Sequence, residues 1–89
     1  MKASARKRIT FRIKAEPESN VFVAGTFNDW SPTKTELKKK GDIFARSILL
    51  ERGRYEYKFV VNGIWTVDPE CADWVPNGQG SLNNVIDVS

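Results

Sequence analysis

The sequence contains no histidine. That removes the commonest general base and the commonest metal ligand. Cysteine occurs once, at Cys71, so no internal disulfide can form. A lone thiol without histidine is a poor nucleophile, and the missing disulfide framework fits a reducing compartment. No apolar run approaches the length of a membrane span, and the N-terminus lacks the basic-then-apolar pattern of a signal peptide. The expectation is a cytoplasmic protein with no membrane partner. No carboxylate pair sits on a shared scaffold: Asp68 and Glu70 are close, but Pro69 between them reads as a turn. These gaps disfavour an enzyme, and no residue is assigned a catalytic, metal or cofactor role. Helical periodicity, internal repeats and low-complexity tracts are also missing.

What is present suits one modest core. The chain has 89 residues, 40% hydrophobic and 28% charged, as in ordinary globular domains. Net charge is +3, with basic residues gathered at Lys2, Arg6, Lys7, Arg8, Arg12 and Lys14 and again at Lys38, Lys39 and Lys40. Such a patch raises nucleic acid as a partner. A solvated strand face and a lysine-flanked turn explain it more simply.

Residues 1–7 show no apolar periodicity and read as a disordered lead-in, leaving 8–89 as one domain. From Arg8 to Lys14 the alternation is strict, with Ile9, Phe11 and Ile13 inward. Ala15 to Asn20 reads as a turn, and Val21 to Ala24 as a strand closed by Gly25. Thr26 to Thr33 is loop by composition but carries Phe27 and Trp30. Leu37 falls on a short edge strand whose lysines discourage edge pairing. Ile43 to Leu50 puts Phe44, Ile48 and Leu50 on one face, with Arg46 an awkward fourth member. Glu70 to Ser81 reads as a long polar loop, and Leu82 to Val88 as the last strand. Six to eight short antiparallel strands with regular turns describe an all-β, immunoglobulin-like β-sandwich.

The strongest local signal is Asn62-Gly63 between apolar runs, a two-residue hairpin turn. That turn sets Val61 opposite Ile64, Val60 opposite Trp65 and Lys58 opposite Val67. Alternation gives Tyr55, Tyr57, Phe59 and Val61 one face, read as core. Glu56, Lys58 and Val60 take the outer face, where Trp65 lies diagonal to Lys58. Trp30, among loop formers, is expected exposed, with Phe27 as the core anchor beside it. Trp74 either plugs one end of the sandwich or forms a third platform.

Two indoles offer flat apolar faces suited to pyranose rings or nucleobases. Lys58 donates, and Asn83 and Asn84 each donate and accept, which suits vicinal sugar hydroxyls. A phosphate backbone would favour arginine beside the aromatics, and none adjoins Trp30 or Trp65. Nucleic acid is thereby disfavoured.

Four segments resemble a known family: Val-Phe-Val-Ala-Gly-Thr-Phe-Asn-Asp-Trp (21–30), Gly-Arg-Tyr-Glu-Tyr-Lys-Phe-Val-Val-Asn-Gly-Ile-Trp (53–65), Asp-Pro (68–69) and Asn-Gly-Gln-Gly-Ser-Leu-Asn-Asn-Val-Ile-Asp-Val (77–88). In this order they are similar to the glycogen-binding carbohydrate-binding modules of family 48. That family includes the module of the AMP-activated protein kinase β subunit and the early-set domains of isoamylases and branching enzymes. The resemblance spans Ile9 to Val88. It implies an immunoglobulin-like sandwich that binds α-1,4-glucans. By resemblance, Trp30 and Trp65 stack on sugar, and Lys58 and Asn83 bind hydroxyls. Ser81 stands where the kinase module has a sugar-contacting threonine, and Gln79 where it has an inserting leucine. The glutamine points to lower affinity, or to linear rather than cyclic chains. The implied function is non-catalytic binding of glycogen, starch or maltooligosaccharides, bringing a glucan-active enzyme to polysaccharide. The alternative is a protein-docking module of the same fold that does not bind sugar.

Overall fold

The computed structural model describes residues 6–89. Eight strands follow in order: β1 (Arg6–Lys14), β2 (Val21–Gly25), β3 (Lys38–Lys40), β4 (Ile43–Glu51), β5 (Gly53–Val61), β6 (Ile64–Thr66), β7 (Trp74–Pro76) and β8 (Leu82–Val88). They form two antiparallel sheets. One is ordered β1-β4-β3; the other is β2-β5-β8-β7, with β6 also on β5. This is the expected all-β sandwich. Among the described residues no helix is long and apolar enough to cross a membrane.

Alternation builds the core. Phe11, Ile13, Phe44 and Leu50 come from the three-stranded sheet, and Val21, Val23, Tyr57, Phe59 and Val88 from the other. Phe11 meets Tyr57 edge to face with centroids 4.8 Å apart, a geometry that favours aromatic pairs beyond area burial. Leu37, next to β3, is buried among them and donates its N–H to Val21 O. Arg46 escapes the core by donating from Nη1 to Glu36 O at 2.9 Å. Of the expected lead-in, Arg6 and Lys7 are already strand, paired with Glu51 and Leu50. Residues 1–5 lie outside the described residues.

Part of the basic patch lies on the outer face of the three-stranded sheet. Arg12, Ala45 and Lys38 form one cross-strand row, and Lys14, Ile43 and Lys40 the next. The cations of these rows are exposed, and Lys14 pairs loosely with Asp42 at 3.5 Å.

β5 is the spine of the larger sheet. Asn62 and Gly63 adopt φ of 52° and 81°, as a turn with two left-handed residues requires. Val61 pairs with Ile64 and Val60 with Trp65, as expected. The ladder stops at Phe59–Thr66, so the expected Lys58–Val67 pair does not form. Farther along the same edge, β8 takes over, pairing Tyr57 with Asn84 through to Gly53 with Val88. Two partners thus meet end to end beside Lys58. Fully buried Asn84 fastens the junction: its Oδ1 accepts from Asp68 N at 2.6 Å, and its Nδ2 donates to Asp68 O at 3.4 Å. Tyr57 Oη donates to Asp68 Oδ2 at 2.8 Å. Asn84 is therefore a structural amide, not a surface one.

Two segments expected as loop contain regular structure. Residues 70–81 include β7, a three-residue strand on β8 that is too short for alternation to register. Thr26–Asn28 forms one turn of 3-10 helix.

Candidate functional site

Trp30 owes its position to a buried asparagine. After β2 the chain turns through Thr26–Asn28, and Asp29 and Trp30 then both adopt left-handed backbone, φ 58° and 59°. Bulky residues rarely occupy that region, so the surroundings must enforce it. Asn28 supplies the enforcement. Its Oδ1 accepts from Gly25 N at 3.0 Å, and its Nδ2 donates to Val23 O at 3.0 Å and to Thr35 Oγ1 at 3.1 Å. Trp30 N then donates to Gly25 O at 2.9 Å. Gly25 itself admits no side chain: a Cβ there would lie 2.5 Å from Glu56 O and 2.6 Å from the Phe27 ring.

Trp65 arrives from the hairpin, across from Val60 on the outer face of β5. Its exit is fixed by Asp68 on Asn84, and its turn by Asn62 N donating to Asn20 O at 2.8 Å. The two indoles stand side by side, centroids 6.5 Å apart and planes inclined by 48°. Trp65 is 45% exposed. Trp30, expected to be exposed, is half-buried, with the Trp65 ring beside it.

Both rings belong to residues that line a groove of about 600 Å³. Lys58 lies in it, only 7% exposed rather than solvated on an open face. Its Nζ donates to Ser81 Oγ at 2.7 Å. Asn83 lines the groove from β8 and donates from Nδ2 to Glu56 Oε1 at 3.0 Å. Its Oδ1 is not engaged by that bond. Ser81 and Gln79 sit on a loop folded by Asn77, whose Oδ1 accepts from Gln79 N at 2.8 Å and Ser81 N at 3.3 Å. Gly78 and Gly80 take the left-handed conformations that this tight loop needs, φ 79° and 82°.

All six residues singled out in the sequence (Trp30, Lys58, Trp65, Gln79, Ser81 and Asn83) line this one groove. Glu56 and Asn77 line it too and were not anticipated. Glu56 was legible in principle, since it shares the β5 parity of Lys58. Asn77 was legible as an Asn-Gly step that caps a loop. Asn28 was legible only as a loop former; its three side-chain bonds come from tertiary structure. Trp74 is not an end plug. It is 53% exposed on β7, outside the core.

The groove has one cation, Lys58, and one carboxylate, Glu56, so its formal charges cancel. It offers angled apolar plates beside amides, hydroxyls and an ammonium. Flat plates suit the C–H faces of sugar rings, and mixed donors and acceptors suit vicinal hydroxyls.

Comparison with known proteins agrees with this chemistry. Residues 8–89 match the family model described as the glycogen recognition site of AMP-activated protein kinase. The chain is 37% identical over 87 residues to the pig 5'-AMP-activated protein kinase subunit beta-1, covering 98% of this chain and 69% of that protein. It is 36% identical over 88 residues to the human subunit beta-2, covering 99% of this chain but 32% of that protein. A rice protein, FLOURY ENDOSPERM 6, chloroplastic, is 32% identical over 88 residues, and the chain spans 16% of its length. By the extent of these matches, the chain belongs to the family of the glycogen recognition site of AMP-activated protein kinase.

Proposed function

We propose that this domain binds α-1,4-linked glucan chains in the groove between Trp30 and Trp65, without cleaving them. The observation that carries the reading is the 48° inclination of two adjacent indoles in a groove that Lys58 also lines. An α-1,4-glucan curves, so angled plates fit successive glucose rings better than one flat strip. Lys58 and Asn83 line the groove, and an ammonium and an amide suit hydroxyls at the ring edges. Ser81 fixes the lysine and can share its own hydroxyl.

Each stacked ring is comparable to an aromatic pair, about 0.5–1.5 kcal/mol beyond area burial. Two rings and a few hydrogen bonds give an affinity of roughly micromolar to millimolar. Such a module works by avidity on a polymer with many chain ends, keeping an associated glucan-active enzyme close to its substrate. A cytoplasmic setting belongs to this proposal and is checked by imaging a fluorescent fusion.

The decisive experiment is co-sedimentation with glycogen. The unmodified protein pellets; Trp30→Ala and Trp65→Ala stay in the supernatant with an unchanged β-sheet circular dichroism spectrum. Binding retained in both variants overturns the site. Incubation with starch should release no reducing ends.

A second reading has one observation in its favour. Gln79 is exposed on the groove rim, where the resembling kinase module inserts leucine. A folded protein that captures a partner enzyme but shows no retardation in glucan-containing gels would be a docking module instead.

A further inference from the structure

The two charged residues of the tryptophan groove are unequally placed. Lys58 is buried at 7% exposure, and its Nζ donates to Ser81 Oγ at 2.7 Å. Glu56, two residues earlier on the same face of β5, is only half-buried. Both line the groove, yet they form no ion pair within 4.0 Å. The more accessible of the two is therefore the anionic one.

Glu56 also decides how Asn83 is turned. The register pairs Glu56 with Val85. Asn83, two residues before Val85 on β8, is thus diagonal to Glu56 on the same face. Asn83 Nδ2 donates to Glu56 Oε1 at 3.0 Å. A carboxylate only accepts, so it holds the amide by its nitrogen and leaves Oδ1 as an acceptor for a ligand. The Glu56 backbone is held in turn, its N–H donating to Thr26 Oγ1 at 3.3 Å.

We infer that Glu56 is the specificity-determining residue of this groove: it orients Asn83, admits uncharged glucan and turns away glucan that carries phosphate. The inference rests on the glucan reading above. Sugar hydroxyls donate to a carboxylate. A phosphate monoester carries about −1.5 to −2 charges at pH 7 and is repelled by it. Lys58 offsets that repulsion only in part, because it is nearly buried and one of its donors is held by Ser81.

Tryptophan fluorescence titration of the intact protein tests this with maltotriose and with maltotriose bearing one 6-phosphate on its central ring. Central placement keeps the phosphate at the groove whichever end leads. The unmodified protein binds the neutral sugar more tightly, by about fivefold or more. In Glu56→Gln the side-chain oxygen still accepts from Asn83, so the positioning stays and the charge goes. The phosphorylated sugar then binds at least as well as the neutral one. Glu56→Ala loses both, shifts the preference in the same direction and weakens neutral maltotriose more than Glu56→Gln does. A merely structural role would weaken both sugars by one factor; a fixed ratio of affinities overturns the inference. Should the variants fail to fold, salt asks the same question of the unmodified protein. Going from about 50 to 500 mM raises affinity for the phosphorylated sugar and leaves neutral maltotriose within about twofold; a fall or no change for the phosphorylated sugar overturns the inference. An unmodified protein that binds both sugars equally, or prefers the phosphate, overturns it and spares the glucan reading. Failure to bind either sugar overturns both.

Discussion

Asn28 Nδ2 donates to Thr35 Oγ1 at 3.1 Å, tying the two ends of the loop that carries Trp30. The same amide group also bonds Val23 O and Gly25 N. One buried side chain thus closes a segment that backbone preference alone would leave open. Asn28→Ala strands these partners and should cost about 2–4 kcal/mol of stability. Urea unfolding measures it. At temperatures where the variant stays folded, glucan affinity should fall as well, because Trp30 loses its placement.

Trp30 holds a left-handed backbone at φ 59°. That conformation costs a non-glycine residue roughly 1–2 kcal/mol. Trp30→Gly should therefore be more stable than Trp30→Ala by about 1 kcal/mol, although both lose the indole and the glucan. A gap of zero between the two thermal midpoints would mean that the turn relaxes once the ring is removed.

Tyr57 governs the alkaline limit of stability. Burial, foremost, and its hydrogen bond to Asp68 push the phenol far above its ordinary range. The unfolded chain ionises near pH 10, whereas the folded one keeps its proton. Above that pH the unfolded state binds fewer protons than the native state, so stability falls as pH rises. The slope from this group approaches about 1.4 kcal/mol per pH unit. Below pH 10 the contribution is complete and flat. Tyr57→Phe should be less stable at pH 8 yet lose less on going to pH 11, as read from urea midpoints.

Salt separates sugar from nucleic acid. Lys58 and Glu56 leave the groove without net formal charge, and the cationic rows lie on the other sheet. Maltodecaose affinity should change by less than about twofold between 50 and 500 mM salt, since a neutral ligand releases no counterions. A steep loss would implicate the basic face instead.

Much of this molecule is written at short range. The Asn62-Gly63 turn fixed the hairpin register, and that register aligned Trp65 with Val60. Strict alternation revealed Ile9, Phe11 and Ile13 as inward residues. What stayed hidden depends on contacts between distant segments. The near-complete burial of Lys58 could not be read, because parity assigns a face but not what covers it; Trp30, Trp65 and the 77–81 loop line the same groove. Asn84 looked like a surface amide because its partner, Asp68, is sixteen residues away. β7 escaped notice because three residues are too few to display a period.

A slip of β5 by one residue would exchange its two faces. Phe59 would turn into water and Lys58 would point among phenyl rings. No one-residue slide can therefore yield a closed sandwich with a dismantled grip. The register that turns Phe59 inward is thus the same one that turns Lys58 toward the groove, so layer closure and the recognition surface are coupled through β5.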